Sequence, residues 1–403
     1  MNMHPVQEKT AMDGTRYIVA GSFIDGSGGA MRRHIYLAVR DTVITGVGPA
    51  GELPRDAGIA AEDFSHCTIV PALADCSASL ASSPSVGDGF RLQEGMPGPA
   101  ATFAMVDRHV RYCHAHGVLG VADTDNHAGL VARYREERKQ GIIDIRTSGP
   151  TCRNPRDCTD GDFLRVGHTG SIEEKNFSPR FNREDLHRIL QSRDGKKAIV
   201  TANGRQAVAE ALAAGCDAIE QGYEMGAENL REMAARNVLW IPCVLRAGNA
   251  LANAGAGGDA GCRFSQRYAV PGKPDPGAEA FWKKMLARQI EQLGLARQLG
   301  VRTAVGTGAG SAGILHGESL VEEMKMFIKA GYSLVETLRC ASDTGARFFG
   351  LKKPGILAIG RKATFLLTRG TPQQLPRKLG YLEGIYVDGL PSVEYSKNPV
   401  RTG

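Results

Sequence analysis

No stretch of the chain is apolar for long enough to span a bilayer, which argues against a helical membrane protein. The opening MNMHPVQEKTAMDG is polar and lacks the apolar core of a secretory leader, so a cytoplasmic protein is expected. The nine cysteines include no CxxC pair. Reduced thiols are expected rather than a disulfide framework. Charge of one sign is not massed anywhere. The net +6 is spread thinly over 403 residues, which fits a solvated surface and argues against nucleic-acid partners.

What is present is length and glycine. A chain of 403 residues exceeds one small core, so one large domain or two are expected. Fifty glycines imply many turns and some long loops. Residues 16–70 read as short strands broken by turns, as in RYIVAGSFIDG and HIYLAVRDTVITGVG. From about 72 to 350 the pattern changes to apolar runs alternating with helical segments. KAIVTANG, RQAVAEALAAG, DAIEQG, ENLREMAARN and VLWIPCVL follow one another in this way. Repeated strand–helix units predict a parallel sheet, and enough of them close into a barrel.

Glycines 117, 141, 215 and 300 follow helical runs and suit left-handed C-caps. Ser333 with Glu336 predicts a capping box at the last long helix. The tail returns to strands in GILAIG, ATFLLTRG and GIYVDG, so the two ends are expected to pair. The expected architecture is α/β, a (β/α)8 barrel over 70–352, with a small β-sandwich from 14–69 plus 353–398. Two segments, 81–100 and 246–277, are too long for ordinary βα connections and would lie as loops beside the strand ends.

Two patterns suggest ligands and fail on geometry. His114 and His116 stand two apart at the end of a helical run, on nearly opposite sides, and read as cations near a helix C-terminus. Gly308, Gly310 and Gly313 spell GxGxxG, but ILHGES intervenes before the next helix near Ser319, which is wrong for a dinucleotide loop.

Taken in order, the segments resemble the amidohydrolase superfamily, in the branch of imidazolonepropionase and prolidase-type enzymes. VAGSFIDGSGG, PALADCSASL, HGVLGVADT, GDFLRVGHTG, IVTANGRQAVAEALAAGCDAIEQG, VRTAVGTGAG and GILAIGRKATFLL carry the likeness across nearly the whole chain. The resemblance implies one or two divalent metals at strand ends, held by an HxH pair, often a carbamylated lysine, two further histidines and an aspartate. Those positions hold Ser77 and Ser79, Arg165, Thr201 and Gln221, and Gly308. Serine, threonine and glutamine are weak zinc ligands, and arginine has no free lone pair. No metal and no cofactor is therefore expected.

Strand alternation from Ser77 and Ser79 turns Asp75 inward and Cys76 toward the helices, and turns Gln221 inward with Glu220 outward. Arg165 is expected to fill the metal's space, paired with Asp75 or with a bound anion, because an isolated buried charge is costly. His168 and His316 read as hydrogen-bonded loop residues, with His168 a further pocket candidate beside Arg165 and Asp75. Cys76 and Cys243 read as core thiols.

The function expected from this pattern is a non-catalytic homologue: a partner subunit, a scaffold or a small-molecule sensor. The alternative is metal-independent hydrolysis of C–N bonds, with Arg165 stabilising an anion. The expected ligand is a small anionic or amide-type molecule, bound by Ser77, Ser79, Arg165, Thr201, Gln221 and Gly308. Family habit implies a homo-oligomer or a complex with another subunit.

Overall fold

The computed structural model describes residues 14–54, 61–84, 99–125, 129–138, 141–149, 151–152, 161–254 and 277–395. Strands β1 (Thr15–Phe23), β2 (Arg32–Arg40), β3 (Val43–Pro49) and β4 (Ala61–Pro71) come first. Then β5 (Leu73–Ala78) leads to α1 (Pro99–Ala115), β6 (Val118–Asp123), α2 (Leu130–Glu137), β7 (Asp144–Thr147) and β8 (Leu164–Gly167). Alternation continues through α3 (Arg183–Gln191), β9 (Ala198–Ala202), α4 (Arg205–Ala213), β10 (Ala218–Gln221), α5 (Gly226–Ala235) and β11 (Leu239–Ile241). Five helices follow: α6 (Val244–Ala254), α7 (Ala278–Leu299), α8 (Ser319–Lys329), α9 (Leu334–Arg339) and α10 (Gly345–Phe349). The chain closes with β12 (Phe365–Arg369), β13 (Leu382–Val387) and β14 (Leu390–Pro391).

The strands form three sheets. Four parallel strands run β11-β10-β9-β8, and three more run β5-β6-β7. Single parallel bridges lie at Ser148–Phe163, Trp240–Thr303 and Ala78–Ala309. The terminal strands make one seven-stranded mixed sheet, β14-β13-β12-β4-β1-β2-β3, where the sequence predicts a sandwich. The pairing of the two ends is direct: β12 runs antiparallel to β4, with Phe365 opposite Pro71.

Strands buried on both faces sort their side chains into two layers. Val121, Val200, Ile219 and Trp240 join the helix-facing core with Leu186, Val208, Leu230 and Leu293. Their neighbours Ala122, Ile199, Ala218 and Leu239 belong to a second cluster that gathers residues of both parallel sheets, with Phe163, Ile241 and Ala304, against Phe349 and Leu351. This inner layer forms the floor beneath the site.

Local signals act as their chemistry requires. Ser333 and Glu336 make the capping box at α9, and Gly300 ends α7 in the left-handed region at φ 74°. Gly117 and Gly215 also have positive φ, whereas Gly141 does not. The segment expected as a loop from 246 starts inside α6, because two buried hydrogen bonds to Glu323 fix a helix start at Val244; residues 255–276 lie outside the described residues, as do 85–98 of the other insertion. Six described cysteines are free and buried, but Cys152 is disulfide-bonded, which corrects the expectation of reduced thiols throughout; spacing alone does not reveal which thiols meet. Among the described residues, no helix is long and apolar enough to cross a membrane.

Candidate functional site

Three adjacent parallel strands bring the central groups together. Gly167 of β8 stands opposite Thr201 of β9, and Thr201 opposite Glu220 of β10. Arg165, two residues earlier on β8, reaches across. Its Nε and Nη2 donate to Glu220 Oε2 at 2.9 and 2.5 Å, and its Nη1 donates to Thr151 Oγ1 at 2.8 Å. Thr201 Oγ1 donates to the same carboxylate oxygen at 2.6 Å, and Ser77 Oγ donates to Oε1 at 2.5 Å. Glu220 is buried, and Arg165 keeps 15 % of its side chain exposed. Burial alone would raise the Glu220 pKa. The Arg165 guanidinium and the two hydroxyls outweigh it and hold the carboxyl below its ordinary range.

A second ion pair lies alongside. Arg246, in the first turn of α6, donates from Nε and Nη2 to the two oxygens of Glu173 at 2.9 and 2.8 Å. Burial would lower the Arg246 pKa, but Glu173 raises it further. Glu173 sits in a 3-10 turn, Ile172–Glu174, closed by a Ser171–Glu174 capping box. Arg246 is aimed by its helix start, where Val244 and Leu245 N–H donate to buried Glu323 at 2.8 and 2.6 Å. Gly308 has φ 73°, and a Cβ there would lie 3.0 Å from Cδ and from Nη1 of Arg246. The arginine therefore covers the spot from which a side chain at 308 would grow.

Between these pairs is a cavity of about 150 Å³, lined by Ser77, Ser79, Arg165 and Gly308 together with Arg246, Asp125 and Ser311. Four of the expected residues thus meet. Thr201 lies behind them, on Glu220. The other three expectations are corrected.

Asp75 does not face Arg165. Its carboxylate accepts from Thr307 N and Oγ1 at 3.0 and 2.6 Å and from Ser77 N at 3.2 Å, tying β5 to the 303–309 segment. Cys76, expected toward the helices, packs in the inner layer instead. The cause is an irregularity in the β5–β6 register between Asp75 and Ala78, which breaks the alternation. Gln221 is turned out of the site by φ 71°. Its Oε1 accepts from Ile172 N–H and Asn203 Nδ2 at 3.0 Å each, and its carbonyl accepts from Trp240 Nε1 at 2.9 Å. Glu220, expected outward, takes the inward place.

His168 Nε2 pairs with Glu210 Oε2 of α4 at 3.1 Å, and its ring lies buried against Phe181. Burial lowers its pKa, against the pull of Glu210. It points at a helix and not into the cavity. His316 Nε2 bonds the Ser79 carbonyl at 2.8 Å and stacks on His109 with ring centres 3.8 Å apart. His114 and His116 do not share a metal. His114 bonds Ser392 Oγ and His116 the Tyr112 carbonyl. Nor are they helix-end cations, since burial lowers both pKa values, that of His114 to about 4. Among the described residues, no three His, Cys, Asp or Glu side chains gather as a metal cluster.

Sequence reasoning missed Glu220, Arg246 and Asp125. Only Glu220 had an available signal: it is the one acid in the AIEQ strand, two residues from inward Ala218.

A family model of the amidohydrolase family matches residues 169–401. The chain belongs to the amidohydrolase family. No curated protein matches it. Among solved structures it is similar to a Xaa-Pro dipeptidase with bound methionine in the active site, at TM-score 0.75 and 17 % identity over 94 % of this chain and 99 % of that one. It is also similar to A. niger ochratoxinase, at TM-score 0.73 and 15 % identity over 94 % and 95 % of the two chains. Molinate hydrolase follows at TM-score 0.70 and 15 % identity over 95 % and 96 %. At such identities the likeness is one of fold.

Proposed function

We propose that this amidohydrolase-family chain is a non-catalytic binder of a small molecule, a sensor built on a (β/α)8 barrel whose centre works without a divalent metal. The bridges at Ser148–Phe163, Trp240–Thr303 and Ala78–Ala309 support closure of the two parallel sheets into that barrel. The seven-stranded sheet of β1–β4 and β12–β14 then forms a second unit beside it.

One observation carries the reading: the Glu220 carboxylate, on which the central side chains converge, is already occupied by Arg165, Thr201 and Ser77. A divalent metal does not fit this donor set. It would have to displace a guanidinium from Glu220, where the other donors are the neutral hydroxyls of Ser77 and Thr201, and would face a second guanidinium across the cavity. The cavity suits a small anionic or amide-type ligand, since Arg246 and Arg165 line it and Ser311 and Ser79 stand on its wall.

The test is metal content of the purified full chain together with turnover of lactam, hydantoin and acyl-amide panels, with and without added zinc or manganese. The expected result is no stoichiometric metal and no turnover, with stabilisation by some members of the same panels. Stoichiometric metal and chelator-sensitive turnover would overturn the proposal. A second reading, metal-free hydrolysis of a C–N bond, rests on Asp125. Its carboxylate has no ion-pair partner among the described residues and lines the same cavity as two guanidinium groups, a base beside anion-stabilising donors. Turnover by metal-free protein, abolished in Asp125→Asn, would favour it.

A further inference from the structure

We infer that Arg165 is a resident cation, a charge covalently supplied by the chain that occupies a cation site formed by Glu220 and the hydroxyls around it. The inference rests on the reading above that no divalent metal completes this centre, and it concerns what holds the site together. Arg165 does not sit at the edge of the network. Its guanidinium joins Glu220 on β10 to Thr151, which follows β7, while Glu220 in turn holds Thr201 on β9 and Ser77 on β5. Residues from five separate stretches of chain, in both parallel sheets, converge on one ion pair.

Geometry also argues for a site and not an incidental pair. Oε2 of Glu220 accepts three hydrogen bonds and Oε1 one, all from side chains and none from backbone. Without the guanidinium, the carboxylate and three hydroxyls would line an oxygen-rich void with an unbalanced negative charge. Such a void takes a small cation of matching shape, and a free guanidinium ion matches best, because its planar fork reproduces the donors lost.

Thermal unfolding of the full chain tests this. Arg165→Ala is compared with wild type in millimolar guanidinium chloride and in sodium chloride of equal ionic strength. The expected result is a loss of several degrees in Tm, at least half restored by guanidinium in the variant, with no such gain in wild type. Restoration by manganese but not by guanidinium overturns the inference, because the site would then select charge and not the guanidinium's shape. An Arg165→Ala protein as stable as wild type, or one restored equally by sodium, overturns it. If the single variant gives no folded protein, Arg165→Met with Glu220→Gln carries the test. A folded double variant that ignores guanidinium supports the inference, and failure of both to fold overturns it. Metal found in wild type would instead defeat the earlier reading, whatever the variants do.

Discussion

Two buried carboxyls on either side of the parallel strands behave in opposite ways. Glu220 meets a guanidinium and is held below the ordinary carboxylate range. Glu323 is equally buried, on the helix side, and among the described residues accepts hydrogen bonds from the N–H groups of Val244 and Leu245. Burial pushes it up to about 8. Asp75, with three donors but no cation, is pushed up to about 6 by burial, opposed by Thr307 and Ser77. Hydrogen bonds from neutral donors do not offset desolvation here, whereas one full opposite charge does. The inner carboxylate is therefore a charged centre. Glu323 is a carboxyl whose charged form burial disfavours, and it acts as a helix cap.

The contrast is broken most severely by Arg165→Met, which strands the Glu220 charge. It should cost about 3–5 kcal/mol, measured by chemical denaturation. Thr201→Val keeps the shape and removes one hydrogen bond to a charged acceptor, so about 1.5–3 kcal/mol is expected by the same method. A pH series on wild type sharpens the comparison through its sign. Glu323 has an ordinary value of 4.5 and a folded value of about 8, so its contribution is full below 4.5 and is lost as pH rises through 8. Asp75 behaves alike between 3.8 and about 6. Glu220 does the reverse, contributing above its ordinary 4.5 and failing as pH falls through its lowered folded value. Stability should therefore decline from mildly acid to alkaline pH, and Glu323→Gln should flatten the alkaline part of that decline. The smallest effect belongs to His168→Gln. Its amide can still donate to Glu210, so about 0.5–1.5 kcal/mol is expected, and ligand binding at the cavity should be unchanged by calorimetry.

The order of strands and helices was legible because periodicity, glycine stops and the Ser333–Glu336 box are local signals, and the structure follows them. Arg165, Ser77, Ser79 and Gly308 were legible as neighbours because the family resemblance sets them at its metal-ligand positions. Their partners were not. Alternation assigns faces only while a strand stays regular, and β5 is irregular between Asp75 and Ala78 while Gln221 adopts a left-handed φ. Each departure exchanges one residue for its neighbour: Cys76 for Asp75, Glu220 for Gln221. Arg246 escaped notice for another reason. It comes from a helix whose start depends on Glu323, far along the chain, and no local pattern marks that capping bond.

The junction of β4 with β12 has a consequence in time. Strand β4 has β1 on one side from early in synthesis, but its other edge waits for Phe365 and its neighbours. Until most of the chain has left the ribosome, Thr68–Pro71 presents an apolar, unpaired edge, the kind that recruits foreign strands. The last stretch to be made is thus a seal on the first, and a chain stopped before residue 365 should aggregate through that edge even with every strand–helix unit complete.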